Sequence, residues 1–246
     1  MVEQARENLK RHLHMFMGRA ARRDKAIFVG GGPSLKDDLH VIRFRYERGG
    51  LIWAMNGTHD WLIERGLYPD VHVLLDARPE TAEFVRRPDS RCIYLVAAQC
   101  HPDVFDALSK HRVMMWVADA PGMRELADET AKPIVLVGGG STVGLKALML
   151  AHLWGYRDMR LFGYDSSYAG DAHHAYPQPL NDGEQVHEIS YCGRHFMAAR
   201  WMVAQAEDFM GDAQLLMRSG TRLTVHGDGL LPHMFRTNEK GQDNAA

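Results

Sequence analysis

The sequence lacks the marks of a secreted, membrane-spanning or nucleic-acid-binding chain. Three cysteines, Cys92, Cys100 and Cys192, are spread over 246 residues. None forms a C-x-x-C pair, and an odd count argues against a disulfide framework. Reduced thiols and a cytoplasmic location are expected. No apolar run approaches the ~20 residues of a membrane-crossing helix. The N-terminal stretch lacks the apolar segment of a signal peptide. A formal net charge of −2 provides no basic field for nucleic acid or anionic lipid. Low-complexity segments, internal repeats and linkers are missing too. So are H-E-x-x-H, a G-K-[ST] phosphate loop and a complete G-x-G-x-x-G. Small molecules remain as the expected partners, with no nucleic acid and no membrane.

What is present is a strand–helix alternation. The chain is 46% hydrophobic, enough for a sizeable core. Strands are expected at "AIFVG" (from Ala26), "LIWAM" (Leu51), "VHVLL" (Val71), "CIYLVA" (Cys92), "VMMWVA" (Val113), "PIVLVG" (Pro133), "MRLFG" (Met159) and "RLTVH" (Arg222). Several are apolar at nearly every position, as in parallel strands covered on both faces. "THDWLIERG" reads as a helix with Thr58 as N-cap and Gly66 as stop. "STVGLKALMLAHLWGY" reads as a second helix and "GRHFMAARWMVAQAEDFMG" as a long third. The fold class is α/β: a single doubly wound, mostly parallel sheet with helices on both faces. Residues 1–24 are expected as an N-terminal helical segment, 25–235 as the domain and 236–246 as a polar tail.

Chemistry collects at strand ends. Gly30, Gly31, Gly32, Pro33 and Ser34 follow the first strand, either as a tight turn or as a backbone cradle opening a helix toward phosphate. "VLVGGGST" repeats the device with Gly140, Ser141 and Thr142. Ligands of open α/β sheets bind at such edges. Asn56 carries an amide that can both donate and accept. Asp76 can hold Mg²⁺, a ribose hydroxyl or a basic partner such as Arg78. Between Gly163 and Tyr191 neither period is clear, and loops of that length are usually functional. That stretch carries Asp165, Ser166, Tyr168, His173, His174, Tyr176, Gln178, Asn181 and His187. Histidine can move protons near neutral pH, tyrosine can meet a phosphate or a base, and a histidine zinc site competes. The 14 methionines read as core filler or subunit contacts. The Met and Trp content of the last long helix points to a homodimer.

"GGGPSL", "AMNGT", "YPDVHVLLD" and "GGGSTVGLKALMLAHLWGYRDMRLFGYDSSY", spanning Lys25 to Tyr168, resemble the family named for the archaeal enzyme MptE, a hydroxymethyl-dihydropterin diphosphokinase. The same motif order occurs in motility accessory factors linked to flagellin glycosylation. More distantly it is similar to bacterial sialyltransferases that use CMP-activated sugars. The resemblance implies a Rossmann-like domain with a nucleotide at its strand ends. Gly30–Ser34, Asn56 and Gly140–Thr142 would line the nucleotide, and Asp165 would lie beside the acceptor. His187, by its place before the last long helix, or His174 would act as base. The archaeal diphosphokinases carry a D-L-D-G-like acidic motif where this chain has "LLDARPE", which leaves Asp76 alone. Three readings follow. One is glycosyl transfer from a nucleotide-activated sugar of the CMP type. Another is Mg-dependent pyrophosphate transfer from ATP, with Asp76 on the metal. The last is a non-catalytic nucleotide- or glycan-binding module.

Overall fold

The computed structural model describes residues 1–177 and 183–243. Its centre is a parallel sheet. The strands are β1 (His14–Met15), β2 (Lys25–Val29), β3 (Leu51–Met55), β4 (Val71–Leu74), β5 (Ile93–Ala97), β6 (Arg112–Ala118), β7 (Leu136–Val137), β8 (Asp158–Phe162) and, at one edge, β11 (Arg222–Val225). The spatial order is β1-β6-β5-β4-β3-β2-β8-β11, with β7 also pairing with β6. Every pairing in this sheet is parallel, for example Phe28 with Trp53 and Phe28 with Leu161. Chain order reverses at β2, which places the topological switch there.

The apolar runs pair as their composition requires. Along β2, Ala26 and Phe28 enter one core and Ile27 and Val29 the other, since side chains alternate across a strand. The helices are α1 (Val2–Leu9), α2 (Leu35–Tyr46), α3 (Thr58–Ile63), α4 (Pro102–Ala107), α5 (Met123–Asp128), α6 (Val143–Leu153), α7 (Arg200–Arg218) and α8 (Leu230–Asp243). One face holds Leu35 and Ile42 of α2 and Trp61 and Leu62 of α3. The other holds α6 and α7 and an aromatic knot of Phe28, Trp53, Trp154 and Tyr156. Helix α6 is apolar nearly all round because it is buried nearly all round. No helix of the described residues is long and apolar enough to cross a membrane.

Several expectations need correction. Residues 1–24 are no separate helical segment: α1 is followed by β1, which joins the sheet beside β6. The expected strand from Pro133 shrinks to Leu136–Val137. The long helix expected from Gly193 begins only at Arg200. Its first residues form β10 (Arg194–Ala199), which pairs antiparallel with β9 (Val186–Tyr191). Cys192 and Gly193 have φ of 43° and 78°, the two-residue turn whose twist suits a hairpin. The polar tail is helical through Asp243 as part of α8. Thr58 is not the cap of α3. Its hydroxyl accepts from the Met55 amide and sits 2.9 Å from the Val29 carbonyl, tying β2 to β3.

Candidate functional site

A cavity of 940 Å³ opens along the carboxyl edge of the sheet. The ends of β2 to β6, the start of α6 and the segment after β8 form its walls. Both glycine turns reach it, through Gly30–Gly32 and through Gly139–Thr142. They reach it in different states.

The first turn is filled by its own chain. The amides of Gly30 and Gly32 donate to the carbonyls of Phe162 and Gly163, both at 2.8 Å. The Gly31 carbonyl accepts from the Ala175 amide and from His174 Nδ1. A Cβ on Gly30 would lie 2.5 Å from the Gly163 oxygen, and one on Gly31 would lie 2.9 Å from His174 Nδ1. One on Gly32 would overlap the Asp165 carboxylate. These glycines make room for neighbouring chain. The start of α2 is also taken: the Ser34 amide and hydroxyl both donate to Asp165 Oδ2 at 3.0 Å. Ser34 therefore does not cap with its side chain, and neither Pro33 nor Ser34 lines the cavity. A carboxylate of the protein sits where a phosphate was expected. Burial raises the Asp165 pKa, opposed by the Ser34 hydrogen bonds.

The second turn is held from behind. The Lys146 ammonium, buried in α6, donates to the carbonyls of Val137, Gly138 and Gly139 at 3.0–3.1 Å. Burial lowers its pKa, partly offset by Asp212 and other carboxylates. Asp212 and Asp208, one turn apart on α7, accept from the Gly140 amide and from Ser141. Thr142 caps α6 by accepting from the Leu145 amide. The amides of Val143 and Gly144 have no acceptor among the described residues, and both residues line the cavity. The start of α6 is thus an unfilled, positively polarised helix end facing the cavity.

Polar side chains with unused atoms surround it. Asn56 adopts φ 48°, and its Oδ1 is buried with no partner among the described residues. Its carbonyl accepts from His72 Nε2 at 2.9 Å. Burial holds His72 well below its ordinary pKa, so the ring is a neutral donor there. Ser166, with φ 50°, has a buried hydroxyl without a partner. Two left-handed non-glycine residues at one cavity fit the pattern of backbone strain at functional sites. His174 and Tyr176 stack at 5.8 Å, with His173 against His174. Because His174 Nδ1–H is spent on Gly31, its Nε2 is left bare as an acceptor. Burial, then the neighbouring His173, lowers its pKa to about 4.

Other expected residues lie elsewhere. His187 is exposed on β9 opposite Ala198 and does not line the cavity. Tyr168 packs against the core, with its amide on the Met197 carbonyl. Gln178 and Asn181 lie outside the described residues. Asp76 lines the cavity, but Arg78 takes its carboxylate: Oδ1 accepts the Arg78 amide and Oδ2 its guanidinium. Among the described residues no three His, Cys, Asp or Glu side chains are grouped to hold a metal. Asp76 thus stands in no such group, and its carboxylate is already engaged by Arg78. Sequence reasoning passed over Lys146, a lone cation in the apolar "GLKALML", and Gln99, a lone amide after "LVAA". Each was an isolated polar residue in an apolar run, which is a usable signal.

Residues 1–171 match the family described as 6-hydroxymethylpterin diphosphokinase MptE-like, and the chain belongs to that family. No curated protein matches it. Among solved structures it is similar to the MAf glycosyltransferase from Magnetospirillum magneticum AMB-1, at a TM-score of 0.73 and 19% identity. The alignment covers 93% of this chain and 36% of that one, so the chain spans about a third of its neighbour's length. At that identity the likeness is one of fold.

Proposed function

We propose that this MptE-like protein transfers a group from a nucleotide, most simply a glycosyl group from a CMP-type sugar donor. The donor's phosphate would sit at the start of α6. The carrying observation is the pair of free amides at Val143 and Gly144, opening into a cavity whose neighbouring amide, hydroxyl and imidazole atoms lack partners. In this reading an acceptor hydroxyl oxygen bonds to the transferred carbon as the bond from that carbon to the phosphate oxygen breaks; the phosphate keeps the electron pair and the hydroxyl proton passes to solvent. The helix amides take up the growing charge. Asn56, Ser166 and the bare Nε2 of His174 would hold the nucleoside. With its pKa lowered to about 4, His174 is neutral and a poor base at neutral pH, and its unpartnered Nε2 is open to accept a hydrogen bond, so its role here is binding. The glycosyltransferase fold of the neighbour supports this reading.

Thermal unfolding with CMP, UDP, GDP and ATP, each with Mg²⁺ or EDTA, tests it. A nucleotide at 100 times its Kd adds ~2.7 kcal/mol, a rise of roughly 5–10 °C for a chain of this length. The expected result is a CMP shift that survives EDTA. A shift with ATP that needs Mg²⁺ would favour pyrophosphate transfer, and no shift with any nucleotide would end the reading.

A further inference from the structure

Away from His174, the cavity continues over the ends of β4, β5 and β6. Its floor there is Gln99, only 3% exposed. The Gln99 carboxamide makes no hydrogen bond with the described residues, and Oε1 is fully buried. The backbone on either side of it is clamped. Nδ2 of the buried Asn8, on α1, donates to the Ala98 carbonyl at 2.9 Å and to the Cys100 carbonyl at 2.8 Å. The Ala98 amide in turn donates to the Trp116 carbonyl at 2.7 Å. A polar side chain so firmly placed, yet left without a partner, is the mark of a group kept for a ligand.

Its surroundings specify which ligand. Asp119, at the end of the neighbouring strand β6 and within 3.4 Å of the Arg124 guanidinium, and the half-buried Phe84 also line the cavity. A carboxamide offers a donor and an acceptor side by side, a carboxylate accepts from hydroxyls, and an aromatic ring covers an apolar face. Together they suit the vicinal hydroxyls and C–H face of a pyranose. The lysine and arginine side chains lining the cavity are already engaged: Arg78 on Asp76, and all three protons of Lys146 on backbone carbonyls. Neither of these two cations is free to neutralise an acidic sugar beside Gln99, which favours a neutral one.

We propose that the Gln99 side of the cavity is a carbohydrate subsite for a neutral sugar, the acceptor in the transfer, with α1 fixing Gln99 through Asn8. Its assignment as acceptor rests on the reading above. The experiment is saturation-transfer NMR on the full chain with CMP present. The probes are the methyl glycosides of galactose, glucose, mannose and N-acetylgalactosamine, beside glucuronic and N-acetylneuraminic acids. At least one neutral glycoside should give signal and the acids none. Gln99→Met, close to isosteric, should cut the sugar signal about tenfold or more by removing both hydrogen-bonding groups. Its CMP thermal shift should stay unchanged. Should Gln99→Met not fold, Gln99→Leu, which also lacks both groups, provides the same comparison. Silence from every neutral glycoside would overturn the subsite, as would acids binding equally well or Gln99→Met keeping its signal. A loss of nucleotide shift instead of sugar signal would place the nucleoside there. A sugar signal without any nucleotide shift would leave the subsite standing and remove the transferase reading.

Discussion

The two glycine turns look alike in sequence, "GGGPS" and "GGGST", and do opposite things. In the first, backbone amides bond to the segment leaving β8 and a protein carboxylate fills the helix end. In the second, Lys146 and the α7 carboxylates secure the turn, and the two leading amides of α6 stay open to the cavity. Glycine after a strand therefore reports a close approach of backbone without saying to what. The partner is another chain segment in one case and open space in the other. The side chains that decide this, Asp165 for the first turn and Lys146 for the second, are set by tertiary packing.

The contrast can be broken first at Gly32. Gly32→Ala drives a methyl into the Asp165 carboxylate and to 2.8 Å from the Gly163 oxygen. A loss of about 3 kcal/mol in urea unfolding is expected. Acid reaches the first turn next. His174 is held neutral, with a pKa of about 4 against about 6.5 when unfolded. Its stabilisation is full above pH 6.5 and is lost as pH falls toward 4, on the order of 3 kcal/mol in all. Stability measured from pH 7 to 4 should fall less steeply in His174→Gln. On the second turn, Lys146→Met leaves three carbonyls without their donor, for about 2 kcal/mol. It should also weaken nucleotide binding by misplacing Ser141 and Thr142, read as a smaller thermal shift. Asp208→Asn removes a negative charge beside the proposed phosphate seat. It should tighten nucleotide binding by about 1 kcal/mol in calorimetry. Least of all, Gly138→Ala faces open space and should stay within about 0.5 kcal/mol of the parent. Equal effects at Gly32 and Gly138 would erase the distinction between the turns.

Most of the sheet was legible because parallel strands buried on both faces are apolar at every position, as "AIFVG" and "LIWAM" are. Strand β1 was not, since two residues carry no period. The β9–β10 hairpin was missed for another reason. "RHFMAA" does alternate, with Phe196 and Ala198 buried and His195 and Met197 exposed, but it runs straight into the helical pattern of α7. At the site, glycines, Asn56 and Asp76 stood out by their place at strand ends. The role of Asp165 did not, because it depends on α2 and the β8 exit meeting in space. Gln99 needs Asn8 from the far end of the chain to hold its backbone. The departure at "LLDARPE" was readable, and the Arg78 clamp on Asp76 gives it a physical form.

The seating of Asp165 against Gly32 also has an evolutionary consequence. A larger residue at 32 has no room while the carboxylate is there, and a shorter one at 165 leaves the Ser34 amide and hydroxyl unpaired. Neither position can drift alone without loss, so across the family the two should change together or not at all. Gly31 and Gly57, both pressed by Tyr176, should be tied to position 176 in the same way. The history of substitutions would then trace the packing of the first turn as clearly as its hydrogen bonds do.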